Sequence, residues 1–222
     1  MYSRFVLGLF CAVMSVSAAP LAISDFSVNS EGWAALTADP ATSGIPFQVN
    51  TTLVYNATGG NPGGFVSVAD LDNFDTYFSG PAFFRTAFAS ALNGTLQYDI
   101  TTNQTADYNG PDVVIKGNGT VLVYDIVPTA NTSFSTVSLS LAPNANWHLN
   151  TQAGPLASLS DFQNAFANVS DFWITAEFHN GVTETSGLDN VILNSAVPEP
   201  GSVVLLLSGL GVGLLSLRRL RA

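Results

Sequence analysis

The chain has 222 residues, 47% of them hydrophobic, a formal charge of −10 and a single cysteine. Four of its six basic residues lie near the two ends, leaving Arg85 and Lys116 against 15 carboxylates over residues 20–196, a formal charge of −13 there. Such a surface repels nucleic acid and anionic lipid, and one thiol, Cys11, excludes any disulfide within the chain.

Arg4 precedes an apolar run from Phe5 to Val16, followed by the small residues Ser17, Ala18 and Ala19. A positive start, a short apolar core and a small-residue cleavage site predict a secretory signal peptide over residues 1–19. The run is too short to cross a bilayer comfortably. Cys11 leaves with it, so residues 20–196, long enough for one domain with a buried core, must be held by packing, with a structural Ca²⁺ as a candidate addition.

The body reads as strand and turn. Thr95–Ile100 and Thr136–Leu141 alternate polar with apolar residues, as half-buried strands do. Val113–Ile115 and Val121–Tyr124 are β-forming runs on either side of a hairpin signal, Lys116-Gly117-Asn118-Gly119. Phe172–Phe178 and Leu188–Leu193 are predicted to be further strands. Leu159–Val169 suggests one short helix capped by Ser160, with Phe162, Ala165, Phe166 and Val169 on one face. Strands separated by Gly, Pro and Asn turns predict an all-β, antiparallel sandwich. Asn-x-Ser/Thr triplets begin at Asn50, Asn56, Asn93, Asn103, Asn118, Asn131 and Asn168 and are taken as turn and edge residues.

After residue 196 come Pro198-Glu199-Pro200, an uncharged apolar run from Gly201 to Leu217, and the cluster Arg218-Arg219-Leu220-Arg221. A helix of that run would reach about 26 Å, enough for a thin bilayer, with the arginines as a cytoplasmic stop. Residues 197–222 are therefore expected to form a C-terminal transmembrane anchor with the body outside.

The candidate chemistry is sparse. Asp70-x-Asp72-x-x-Asp75 is the densest carboxylate cluster, and Asp25, Glu31 and Asp189 form a second candidate set; both suit the oxygen ligands of Ca²⁺. Trp33, Tyr77, Tyr108 and Trp147 are candidate ring platforms for sugars, although large aromatics are more often core. His148 and His179 have no partner at metal-binding spacing, and Gly-x-Ser-x-Gly is absent. The stretch Gly59–Gly64 does not open a helix, so it is a turn and not a phosphate cradle. Paired carboxylates keep a glycosidase open as an alternative.

Two resemblances follow. The order Pro198-Glu199-Pro200, short Gly-rich apolar helix, terminal Arg cluster resembles the PEP-CTERM sorting domain. That resemblance implies recognition and cutting by an exosortase at the inner membrane of a Gram-negative bacterium, then release to the cell surface or extracellular matrix. The body is similar to the laminin B domain, also called laminin IV type A. The resemblance rests on Gly32-Trp33, Gly60–Val66, Asp70 and Asp72, Tyr77-Phe78, Pro81–Phe84, Gly94–Asp99, Asp112–Gly117, Trp147 and Leu188–Val191. It implies a jelly-roll sandwich of the galactose-binding-like kind, without assigned catalytic residues, and a Ca²⁺ where the first and last strands meet. The combined expectation is an exported, non-catalytic surface or matrix protein that binds polysaccharide. The alternatives are a glycan-active hydrolase and a purely structural passenger of the sorting system.

Overall fold

The computed structural model describes residues 18–38, 51–70, 74–108, 110–126, 130–179, 181 and 183–197. Both sheets are antiparallel. The first contains β1 (Pro20–Ser24), β3 (Leu53–Gly60), β4 (Gly63–Ala69), β6 (Thr95–Thr102), β9 (Ser135–Ser140) and β12 (Thr185–Asn194). Its order is β3-β4-β12-β6-β9, with β1 also pairing with β12. The second sheet is ordered β10-β8-β7-β11-β5-β2. It uses β2 (Ala34–Ala38), β5 (Asp75–Ser79), β7 (Val113–Gly117), β8 (Thr120–Tyr124), β10 (Trp147–Leu149) and β11 (Val169–Thr175). The all-β sandwich expected from the sequence is the observed fold, and residues Ala19–Ala196 form one compact unit.

Alternation along the strands builds the core. Val66 and Val68 of β4, Leu96, Tyr98 and Ile100 of β6, and Val137 and Leu139 of β9 turn inward. They meet Phe78, Ile115, Leu122, Phe172 and Ile174 of the second sheet. The β7–β8 hairpin closes through Asn118 (φ 48°) and Gly119 (φ 77°), the left-handed pair that a two-residue turn requires.

Two tryptophans organise this interior. Trp33 packs edge-on against Phe84, Phe172 and Phe26 at centroid distances of 5.5, 5.8 and 6.1 Å, and its Nε1 donates to Ser24 Oγ at 2.9 Å. Trp147 lies 4.9 Å from Tyr124 and 5.2 Å from Phe162, with Nε1 donating to the Ser140 carbonyl at 2.8 Å. Each ring is buried with its one polar atom satisfied.

Three details depart from the sequence expectations. There are two short helices instead of one: α1 (Ala82–Ala87), continued by a 3₁₀ turn over Phe88–Ser90, and α2 (Leu159–Phe166). Six residues are too few to give α1 a readable period, yet it buries Phe84. The cap of α2 is Ser158, not Ser160. The Ser158 hydroxyl accepts from Asp161 N–H while the Asp161 carboxylate accepts from Ser158 N–H at 2.8 Å, a reciprocal capping box. Finally, β11 begins at Val169 and stops at Thr175, short of Phe178: Ala176 N–H still reaches the Thr76 carbonyl, and the Thr175 hydroxyl bonds the Glu177 carbonyl where the chain leaves the ladder.

Among the described residues no helix is long and apolar enough to cross a membrane. The expected signal peptide, the Pro198-Glu199-Pro200 motif, the apolar run Gly201–Leu217 and Arg218, Arg219 and Arg221 lie outside the described residues, apart from Ala18 and Ala19 at the signal's end.

Because Trp147 is wholly core, truncation to alanine should leave a cavity. Urea unfolding of Trp147→Ala is expected to show a loss of about 3–5 kcal/mol. A loss under about 1 kcal/mol would mean the ring is not packed as described.

Candidate functional site

The residues of the first sheet that point away from the core form a trough. In β4, Val66 and Val68 face inward, so Phe65 and Ser67 face out. Asn56 of β3 stands opposite Phe65, and Gly187 of β12 stands opposite both Ser67 on one side and Thr101 of β6 on the other. Gly187 is the floor. A Cβ there would lie 2.9 Å from Thr101 Cγ2 and 3.0 Å from Phe65 Cε2, so only the missing side chain lets the Phe65 ring lean across the strand. Phe134, on the approach to β9, meets Phe65 edge-on at 5.5 Å and 82°.

Around this pair the surface sinks into two adjoining hollows of about 340 and 440 Å³ that share Phe65, Thr101 and Thr132. The first continues over Asn56, Ser67, Asn103 and Thr185, the second over Gly59, Gly60, Asn61, Ser133 and Phe134. Polar groups are held in place: Asn56 Nδ2 donates to Ser67 Oγ at 2.9 Å, Thr101 Oγ1 to the Asn131 carbonyl at 2.8 Å, and Thr185 N–H to Asn103 Oδ1 at 3.0 Å. None of the described lining residues is charged.

At the edge of the trough, Asp99 of β6 and Asp189 of β12 face each other in register, both buried. Asp99 Oδ2 accepts from the side-chain amides of Asn61 (3.1 Å) and Asn190 (2.8 Å), and its Oδ1 from Thr136 Oγ1 (2.6 Å). Asp189 accepts from the backbone N–H groups of Asn61 (2.6 Å) and Asn190 (2.7 Å). Burial pushes the Asp189 carboxyl upward against the pull of those N–H groups, and Asp99 adds to the rise. These acids pin the β3–β4 turn; they are covered by it and do not face the trough.

The other residues singled out from the sequence fall elsewhere. Trp33, Tyr77 and Trp147 are 4%, 3% and 0% exposed, so their expected role as sugar platforms is corrected: no ring face is available. Tyr108 is half-buried, and its hydroxyl donates to Asp75 at 2.9 Å. Asp25 accepts from Ser27 N–H, which holds it below the ordinary carboxylate range, and Glu31 accepts from Phe26 N–H at 2.8 Å. Asp25 lies near enough to Asp189 to raise it, yet all three carboxylates are engaged by protein N–H groups. Among the described residues no three His, Cys, Asp or Glu side chains gather as a metal-holding group, and Asp72 lies outside them. The Asp70, Asp72 and Asp75 set is thus incomplete among the described residues. His148 Nδ1 lies 2.8 Å from the Gly154 carbonyl and His179 Nδ1 beside Asp107; neither lines the trough.

Asp70 and Asp75 belong to a buried acidic group where β4 ends and β12 begins. Asp70 Oδ1 accepts from Thr76 Oγ1 at 3.2 Å, Asp75 from both Tyr77 and Tyr108 hydroxyls, and Glu184 from Phe178 N–H and Thr102 Oγ1. Glu177 Oε2 is buried with no hydrogen-bond partner among the described residues. Burial, reinforced by Asp70, Glu184 and Asp75, pushes Glu177 up to about 9, and burial pushes Asp112 up to about 7.

The Laminin B (Domain IV) family matches residues 77–205. Among solved structures, the L4b domain of human laminin alpha-2 is similar at 15% identity and TM-score 0.55, over 79% of this chain and 98% of that one. A family 11 carbohydrate-binding module of a cellulosomal cellulase of Clostridium thermocellum gives 15% and 0.51, over 84% and 99%. The Clostridium thermocellum family 11 module in complex with a β-1,3-1,4-mixed-linked tetrasaccharide gives the same identity and score, over 83% and 100%. At this identity the likeness concerns the fold. A search of curated proteins finds no match.

A buried acid whose folded pKa exceeds its unfolded value holds its proton more tightly in the fold, so its contribution is present below the unfolded pKa and lost as pH rises through the folded one. With Glu177 near 9 against an ordinary 4.5, the melting temperature should fall between about pH 5 and 9. Glu177→Gln should flatten that fall and melt higher than wild type at pH 9. An unchanged slope would remove Glu177 as its source.

Proposed function

Because the chain belongs to the Laminin B (Domain IV) family, we propose that it is an exported, non-catalytic protein of the cell surface or extracellular matrix that holds polysaccharide in the trough of the first sheet. One observation carries this reading: a Phe65–Phe134 aromatic pair over a glycine floor, flanked by amides and hydroxyls, on the outward face of a sandwich. Ring faces pack against the apolar faces of sugars, and short polar side chains answer their hydroxyls. The likeness to a carbohydrate-binding module solved with a tetrasaccharide supports the same use of the fold. Binding is favoured over hydrolysis because the acids nearest the trough, Asp99 and Asp189, are covered and fully engaged. A glycosidase needs two carboxyl groups flanking the scissile bond.

Export and attachment follow the terminal segments. The signal peptide directs the body outward, and Pro198-Glu199-Pro200 with the apolar run and arginine cluster is read as the tag that an exosortase recognises at the inner membrane. Replacing Pro198, Glu199 and Pro200 by alanine should leave the uncut chain in the membrane fraction on immunoblots; equal release of wild type and variant would sink the sorting assignment.

Binding is tested by isothermal titration of the purified protein with soluble polysaccharides. Phe65→Ala is expected to weaken the interaction at least about tenfold, a change of about 1.4 kcal/mol, with an unaltered melting temperature. Equal affinity in wild type and variant would move the site off this face.

A further inference from the structure

Resting on the trough as the binding site, we infer that its ligand is an uncharged polysaccharide, bound along an internal stretch of the chain, and that anionic polymers are rejected. The lining supplies donors and acceptors without charge: Asn56, Ser67, Thr101 and Asn103 beside the Phe65–Phe134 pair. A carboxylated or sulfated polymer entering it would shed water and meet no counter-charge, a costly exchange. Only two cations exist in residues 20–196. Arg85 sits on α1 with Nη1 donating to the Gly80 carbonyl at 2.9 Å, and Lys116 sits on β7 of the second sheet; neither lines the trough. Asp99 and Asp189, two residues along from Thr101 and Gly187, add no positive charge beside the floor, and the body's formal charge of −13 disfavours an approaching polyanion.

The geometry sets how such a chain lies. The hollows share three residues and cross β3, β4, β12 and β6, a width of about 14 Å at the usual strand spacing. That distance takes several linked sugar rings running across the strands, with the Phe65–Phe134 pair beneath them. The two hollows run into one another through Phe65, Thr101 and Thr132, a longer floor than a single terminal sugar would cover.

The test is affinity electrophoresis of the purified full chain through gels containing neutral polymers (mixed-linked β-glucan, galactomannan) or anionic ones (alginate, polygalacturonate). Wild type, Phe65→Ala and Thr101→Lys are compared. Retardation by a neutral polymer, lost in Phe65→Ala and changed less than about twofold between 0.05 and 0.5 M salt, is the expected result. Thr101→Lys should gain retardation by alginate that salt removes. Retardation of wild type by anionic polymers alone, lost in Phe65→Ala, would overturn the charge inference and leave the trough as the site. Retardation indifferent to Phe65→Ala, or none in any gel, would overturn the trough reading and this inference with it.

Discussion

The register of β12 governs the molecule. This ten-residue strand pairs on one side with β4 through Thr185–Leu188 and with β1 through Val191–Asn194, and on the other side with β6 along its length. Leu188 and Leu193 are both core residues, yet five positions separate them, and an odd separation puts residues of a regular strand on opposite faces. The irregularity between Asp189 and Ile192 resolves the conflict by shifting the parity, so Leu188, Val191 and Leu193 all point inward. Asn190 makes the shift, at φ 48°. Its side-chain amide then reaches Asp99 and the Asn61 carbonyl, tying β6 and the β3–β4 turn to the same kink. The turn forms one end of the trough, so the device that keeps the core apolar also shapes the outer face.

Most of the fold was legible where periodicity and turn chemistry agree. Val113–Tyr124 contains two apolar runs and an Asn-Gly turn, and it is a hairpin in the structure. Thr136–Leu141 alternates in sequence and in burial. The misreadings have local causes. Ser158 and Ser160 both stand at the start of the helix, but Ser160 is already inside it, and Ser158 has Asp161 three residues on with which to form the reciprocal cap. Thr175 is a good strand former, yet β11 ends there, where its hydroxyl bonds a carbonyl two residues away.

The site was far less legible. Asn56, Phe65, Thr101, Phe134 and Gly187 lie on separate strands or their approaches, and no sequence window contains more than two of them. What makes them a site is cross-strand register, which pattern reading does not supply. The tryptophans misled for a physical reason. Trp33 and Trp147 have the largest rings and each an N–H that finds a partner inside, Ser24 and the Ser140 carbonyl, so burial carries no unpaired polar atom. The smaller Phe65 and Phe134, without polar atoms, stand on the outward side of the first sheet. One signal was available: Phe65 alternates with Val66 and Val68, which fixes it on the opposite side from the core.

Gly187 carries the last step. A glycine inside a central strand weakens the ladder by roughly 0.5–1 kcal/mol relative to alanine, and the strand here is the one that three others depend on. Local preference and global need conflict at this position, and such conflicts concentrate where a fold serves something besides its own stability. The contacts say what is gained. A methyl group would strike Phe65 and Thr101 at 2.9–3.0 Å, so the trough's depth comes from an omitted side chain. Gly59, on the other side of the Phe65 ring, is a glycine for its backbone, φ 96°, since a Cβ there would meet Cε1 at an ordinary 3.4 Å. One omitted side chain and one ring, brought together by the register of β12, thus leave an uncharged hollow in a strongly acidic surface.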